Sequence, residues 1–271
     1  MIFWDTHLHT EFSGDSDTPV KDMVAAAMAK NLTGIVFTDH LDWNYPNEPG
    51  RFDLDFYEYL DTMKKFREEN TDMEIGAGVE LGLQPHLADR HREFLQKVRF
   101  DYCIGSVHVV NGVDPYYPGY FEGRSADDAY EEYFKCVLEN ISLFIDFDSL
   151  GHLDYVVRYG IRHKGEFAGR MDFNRHKPVI EEILSILIKN GKSLEVNTGS
   201  FRNGMREPNP SYDIIKLYYD MGGRQITVGS DAHKPDTVAD GFGEVCMRLR
   251  NIGFSHYNVY SLRSAREMPL W

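Results

Sequence analysis

The sequence predicts an α/β fold: a (β/α) barrel of seven units, distorted or incompletely closed. Two observations carry this reading. Short apolar, β-branched runs alternate with helical patterns seven times along the 271 residues, and polar, ligand-type side chains follow almost every run. The runs fall at 2–5, 34–38, 74–79, 102–107, 144–150, 193–197 and 224–229. Such alternation makes parallel strands joined by crossover helices. An open doubly wound sheet is the alternative that periodicity leaves standing.

Each helix has a local cause. Thr18 is placed to N-cap the first, with Pro19 at its first position and the strong helix formers of 25–29 inside it. Ser125 and Asp128 resemble a capping box ahead of a helix that runs to about Asn140. Residues 177–189 have helical apolar spacing and stop at Asn190-Gly191. Asn209-Pro210 opens a helix ending near Gly222-Gly223, and a last one lies between Thr237 and Asn251. The one long irregular stretch, 111–124, is rich in Gly, Pro and Tyr, and a loop of that length in a compact domain is usually functional. No repeat, low-complexity tract or Gly/Ser linker divides the chain, so 1–271 reads as a single barrel domain.

Composition excludes several classes. Lys plus Arg is 29 against 43 Asp plus Glu, a net charge of -14, which repels polyanions and argues against a nucleic-acid partner. A small anion is still allowed, because a metal or local positive charge can dominate a pocket. Cys103, Cys136 and Cys246 are far apart, odd in number and without C-x-x-C spacing. They point to a reducing cytoplasm and not to a disulfide framework. No signal peptide or membrane span is indicated.

The residues at the strand ends carry the chemistry. The first strand leads into Asp5-Thr6-His7-Leu8-His9, the second into Thr38-Asp39-His40 and the third into Glu80. The fourth leads into His108, the fifth into Gly151-His152 and the seventh into Ser230-Asp231-Ala232-His233. Barrel enzymes gather their chemistry at the C-terminal ends of the strands, so these groups would meet at one mouth. His7 and His9, two apart on an extended strand, point the same way. Imidazole with carboxylate suits zinc, iron or manganese. Glu80 can give one oxygen to each of two ions, and such a pair can clamp a phosphate and acidify water. Taken singly, Glu80 is no more than a salt-bridged acid and Thr-Asp-His no more than a turn; recurrence on six of seven strands makes the pattern. His86, His91, His163, His176 and His256 fall elsewhere and are expected to be solvated or capping.

The segments DTHLHTEFSGDSDTP, FTDH, GVE, GSVH, GHLD, EVNTGSFRNG and GSDAH, in that order, resemble the PHP superfamily of metal-dependent phosphoesterases over residues 1–253. Within it, order, spacing and length are similar to the stand-alone histidinol-phosphate phosphatases. The resemblance implies a distorted (β/α)7 barrel, TIM-like, with two to three divalent ions at the C-terminal strand ends. One ion would take His7, His9, Glu80 and Asp231, and a second Glu80, His108 and His152. A third would take Asp15, His40 and His233. Asp15 departs from the histidine of many relatives; an aspartate favours a harder ion or weaker binding. The implied reaction is hydrolysis of L-histidinol phosphate to L-histidinol and phosphate, in histidine synthesis, by a metal-bridging hydroxide. Glu80, Asp231, His233 and Asp39 are then the catalytic candidates. Arg158, a few residues past His152, and Arg202, in the loop after the sixth strand, are candidate phosphate clamps, since guanidinium fits phosphate bidentately, and Lys234 is a weaker one. The substrate's amine and imidazole would favour an acidic or aromatic wall, for which 116–120 offers tyrosines. Competing readings are a PHP phosphoesterase acting on another small ester such as a nucleotide, an inactive metal-binding module, and a barrel amidohydrolase. A module of the second kind often lacks ligands that are all present here, and the third usually carries a lysine bridge.

Overall fold

The computed structural model describes residues 1–46 and 48–271. Eight strand segments run parallel in the order β1 (Trp4–Leu8), β2 (Gly34–Phe37), β4 (Glu74–Gly82), β5 (Tyr102–Ser106), β6 (Ser149–Leu150), β7 (Ser193–Asn197) and β8 (Ile226–Gly229), with β3 (His40–Leu41) also on β4. β2 and β3 both pair with β4, so together they fill one place in the wall. The wall nearly closes between its ends. Leu8 bridges Ala232 in parallel, the His9 N–H donates to the Ala232 carbonyl at 2.9 Å, and the Asp231 N–H donates to the His7 carbonyl at 2.8 Å. Seven strand positions and a loose seam give the distorted barrel that alternation predicts.

Around the wall lie α1 (Val20–Ala29), α2 (Phe56–Glu69), α3 (Ala88–Lys97), α4 (Ala126–Leu143), α5 (Tyr155–Lys164), α6 (Phe173–Lys189), α7 (Tyr212–Asp220) and α8 (Phe242–Ile252). Their apolar faces and the strands share one contiguous core, from Ile2 through Tyr59, Phe134 and Leu194 to Leu270. Burial of that surface is what makes each short strand stable. An antiparallel hairpin, β9 (His256–Ser261) and β10 (Ser264–Pro269), follows the barrel; Arg263 in its turn pairs with the buried Asp148 at 2.5 Å.

Several boundaries differ from expectation. β1 runs on to Leu8 and β4 to Gly82, so His7 and Glu80 sit within the C-terminal ends of their strands and not beyond them. β6 keeps only Ser149–Leu150, because Phe144 ends α4 as its C-cap. Thr18 does not cap α1: Pro19 holds the N-cap position, and the Thr18 hydroxyl donates instead to the His233 carbonyl at 2.7 Å. α6 starts before 177, with Asp172 accepting from the Asn174 and Arg175 N–H groups, and tolerates Pro178 near its start. Loop 111–124 contains a short 3₁₀ turn, Pro118–Phe121, that buries Tyr120 and Phe121. No helix among the described residues is long and apolar enough to cross a membrane.

Candidate metal centre

His7 and His9 reach the barrel mouth from β1, and two features of β8 and its loop let them. Gly229 is the first: a Cβ there would lie 2.2 Å from the His7 Cβ and 2.9 Å from the Glu195 carboxylate, so only glycine permits the approach. The second is Asp231, whose φ of 55° is left-handed, an uncommon conformation for a non-glycine residue and one that concentrates at functional sites. Asp5 secures that turn by accepting the Ser230 N–H at 2.9 Å, the Ser230 hydroxyl at 2.5 Å and the Ala239 N–H at 2.8 Å.

Glu80 is wholly buried at the centre of the cluster. Its Oε2 lies 3.2 Å from His7 Nε2 and 3.5 Å from His9 Nε2, while Asp231 Oδ1 lies 3.9 and 3.5 Å from the same two nitrogens. Its Oε1 lies 2.8 Å from His152 Nε2 and 3.3 Å from His108 Nε2, and those two nitrogens are 3.4 Å apart. Four donors at bonds of about 2.0–2.1 Å around a tetrahedral ion stand about 3.3 Å from one another. The distances above are 3.2–3.9 Å for the set on Glu80 Oε2 and 2.8–3.4 Å for the set on Glu80 Oε1, around that spacing. Toward solvent, Asp15 Oδ2 lies 3.1 Å from His233 Nε2 and 3.7 Å from His40 Nε2. His40 borders both regions, since its Nδ1 is 3.1 Å from Glu80 Oε2.

Three of the deep histidines have their second nitrogen held by a neighbouring group, two of them by acids, Glu195 and Asp42, that strand-end reading does not single out. His7 Nδ1 donates to Glu195 Oε1 at 2.5 Å, and the other oxygen of Glu195 accepts the backbone N–H of His152 at 2.8 Å. His108 Nδ1 donates to Asp42 Oδ1 at 2.6 Å. His9 Nδ1 donates to the Ser13 hydroxyl at 2.9 Å, which donates to Asp39 at 2.8 Å. Asp39 also accepts from the Thr10 N–H and hydroxyl at 2.6 and 3.0 Å. The contacts at Nδ1 of His7, His108 and His9 fix the tautomer that turns Nε2 toward the cluster. Glu195 falls within the predicted strand 193–197, and Asp42 carries no signal in the sequence.

The electrostatics favour cations. Burial opposes charge on His7, yet Glu195, Glu80 and Asp231 hold it well above the ordinary histidine range. His108 is likewise high, against its burial, through Asp42 and Glu80. His40 is pushed to about 9 against its burial by Glu80 and Asp15. Burial, with His233 and His40 nearby, takes His9 down to about 3. Glu80 stays far below the usual carboxylate range despite burial, held there by His7, His40 and His108. So many buried carboxylates call for positive charge, and divalent ions supply it while leaving the imidazoles neutral. The donor set therefore fits metal ions. His7, His9 and Glu80 converge on one point, His40, Glu80 and His108 on a second, and His9, His40 and His233 on a third.

The cluster forms the floor of a cavity of about 430 Å³. Arg158 and Arg202 both line it. Arg158 is buried and lies 3.4 Å from Asp231 Oδ2, with Nε donating to Asn209 Oδ1 at 3.0 Å. Arg202 donates to the Ser230 and Asp231 carbonyls at 2.8 and 2.7 Å. Lys234 is exposed and outside the lining, because the chain leaves the mouth after His233 into a 3₁₀ turn. Asp39 stands behind His9 and is also outside the lining. Of the remaining histidines, His91 and His176 are buried, contrary to expectation, and away from the cluster. His91 stacks on Trp43 with its Nε2 on the Gly82 carbonyl, and His176 pairs with Asp127.

A PHP domain family model matches residues 5–199. A protein named probable histidinol-phosphatase from Clostridium acetobutylicum is 34% identical over 93% of this chain and 94% of its own. One of the same name from Thermotoga maritima is 32% identical over 94% of each. A solved histidinol phosphate phosphatase from Lactococcus lactis, complexed with zinc, L-histidinol and phosphate, matches at a TM-score of 0.88 and 26% identity, over 97% of this chain and 98% of its own. This chain belongs to the PHP family, and its likeness within that family is to the histidinol-phosphatases.

Proposed function

We propose that this protein hydrolyses L-histidinol phosphate to L-histidinol and phosphate. One observation supports the reading most strongly. A buried carboxylate, Glu80, sits between two sets of imidazoles at metal-ligand spacing, on the floor of a cavity that also holds two arginines. The near full-length similarity to an enzyme solved with zinc, L-histidinol and phosphate supplies the substrate.

The deep sets, His7, His9, Glu80 and Asp231 on one side and Glu80, His108 and His152 on the other, would hold two divalent ions. Asp15, His40 and His233 would hold a third. Zinc, iron and manganese all suit these donors. Bound there, such ions supply Lewis acidity toward phosphoryl oxygens and lower the pKa of coordinated water. The chain's own residues do the rest. Arg158 and Arg202 neutralise and orient the phosphate, with Arg158 kept in place by Asn209 and Arg202 by two backbone carbonyls. Glu195, Asp42 and Asp39 hold His7, His108 and His9 in register and act as positioning residues. Asp231 and His233, with Oδ1 and Nδ1 3.7 Å apart, are assigned the proton that the leaving oxygen takes up. Lys234, exposed beside them, takes no part.

The three cysteines are free and buried, which suits a reducing cytoplasm. The barrel and its hairpin share one core and are read as one domain. A panel of phosphomonoesters, offered to metal-reconstituted protein, tests the substrate. Histidinol phosphate is expected to exceed aryl phosphates and nucleotides in kcat/KM by orders of magnitude. Equal rates across the panel refute the assignment.

A further inference from the structure

Of the two arginines on the cavity wall, Arg158 is buried and Arg202 exposed. The Arg158 fork is held lightly at its tips. Nη1 lies 3.4 Å from Asp231 Oδ2 and Nη2 lies 3.5 Å from Asn197 Oδ1, at the limit of a hydrogen bond. The short contact is at Nε, which donates to Asn209 Oδ1 at 3.0 Å. That bond sets the plane of the guanidinium and leaves its tips for the parallel hydrogen bonds a phosphate accepts.

How Asn209 is aimed therefore decides how Arg158 is aimed. The Asn209 backbone is fixed by a two-way bridge to Asn197, with N–H to carbonyl distances of 2.8 and 2.9 Å. Its side chain stands between Arg158 and Asp154. Asn209 Nδ2 donates to Asp154 Oδ1 at 2.5 Å, and the other oxygen of Asp154 accepts the Ser211 N–H at 2.9 Å. A guanidinium only donates and an ionised carboxylate only accepts, so the amide between them has one orientation.

Asp154 forgoes two nearer roles for this one. It is the N-cap residue of α5, yet its side chain accepts no N–H of that helix. It stands four residues before Arg158, the spacing of a direct ion pair, yet no Arg158 nitrogen comes within 4.0 Å of its carboxylate. It is wholly buried and does not line the cavity. Its hydrogen bonds reach the cavity through Asn209 and the guanidinium, a short relay in a shielded setting.

Resting on the phosphatase reading above, we infer that Asp154 is a positioning residue for the phosphate clamp: through the Asn209 amide it holds the Arg158 fork at the angle that a phosphate monoester needs. The competing role is a staple between α5 and residues 209–211 with no bearing on phosphate. Asp154→Asn separates the two. Its amide can turn either end toward Asn209, so size is kept and the single orientation is lost.

The test measures the dissociation constant of inorganic phosphate for metal-reconstituted protein, with metal content and histidinol phosphate turnover read on the same samples. Asp154→Asn is expected to weaken phosphate binding about tenfold at unchanged metal content. Arg158→Ala weakens it about 10- to 100-fold, the scale of a lost charge-assisted contact. Asp154→Asn added to Arg158→Ala brings no further loss, because the relay then has no end. Asn209→Ala cuts the relay and keeps Asp154. It gives the same loss alone and the same silence beside Arg158→Ala, and it decides the matter if Asp154→Asn does not fold. Wild-type phosphate affinity in either single variant overturns the inference. So does a loss of equal size with and without Arg158, the mark of a staple, or a loss of metal in step with phosphate. Wild-type protein that binds phosphate through Arg158 but does not turn over histidinol phosphate refutes the named substrate and leaves Asp154 its role. Wild-type phosphate affinity in Arg158→Ala removes the clamp, and that role with it.

Discussion

Glu80, His7, His9 and His152 are at most 2% exposed, whereas the side chains of Asp15 and His233, in the outer part of the same cluster, are 35% and 27% exposed. The deep donors hang from regular strands or directly follow them. Three deep histidines have their second nitrogen fixed, His7 by Glu195, His108 by Asp42 and His9 by Ser13 and Asp39. Asp15 and His233 come from loops, and His233 Nδ1 rests on a backbone carbonyl. A buried charge held by a second carboxylate has few ways to relax, while one at the rim exchanges partners with water. The deep half is therefore preorganised and the outer half adjustable. Asp15 lies in the adjustable half.

The comparison can be broken at its strongest point first. Glu80→Gln keeps the volume and removes the charge shared by both deep sets; kcat is expected to fall by about 10³-fold or more, with a near-unchanged far-ultraviolet spectrum. A variant with full kcat means that Glu80 does not join two ions. Glu195→Gln leaves all proposed ligands in place and loosens only His7. Metal affinity, read by competition with a chromogenic chelator, is expected to drop about 10- to 100-fold. No change there means that strand geometry alone aims the ring. Asp15→Asn is the mildest: about tenfold weaker retention of one ion, with the deep ions kept at the same chelator concentration. Simultaneous release of all ions in this variant erases the distinction between the halves.

The same contrast explains what the sequence disclosed. His7, His9, Glu80, His108 and His152 were legible because a parallel strand delivers its terminal side chains to one rim whatever the rest of the chain does. Glu195 and Asp42 were not, because each matters only through a partner far along the chain: His7, 188 positions away, and His108, 66 positions away. Asp39 was legible as a polar residue at a strand end, but its direction was not; Thr10 and Ser13 draw it behind His9. Lys234 shows the reverse error, since adjacency to His233 says nothing once the backbone turns away. Arg202 and Arg158 followed from distance to the strand ends, and the cavity contains both. Thr18 failed as a cap because the His233 carbonyl offered its hydroxyl a tertiary partner. The terminal hairpin lay beyond the alternation that defined the barrel. Helix α2 begins at Phe56, where Asp55 caps it through the Tyr57 and Glu58 N–H groups, a signal present in the sequence but short.

Elemental analysis of the purified wild-type and Glu80→Gln proteins, with histidinol phosphate turnover measured on the same samples, addresses the bridging role of Glu80 directly. The expected result is at least two transition-metal ions per wild-type chain, as the two deep donor sets require, and loss of both deep ions together with turnover in the variant. Full turnover by wild-type protein that carries no metal would contradict it.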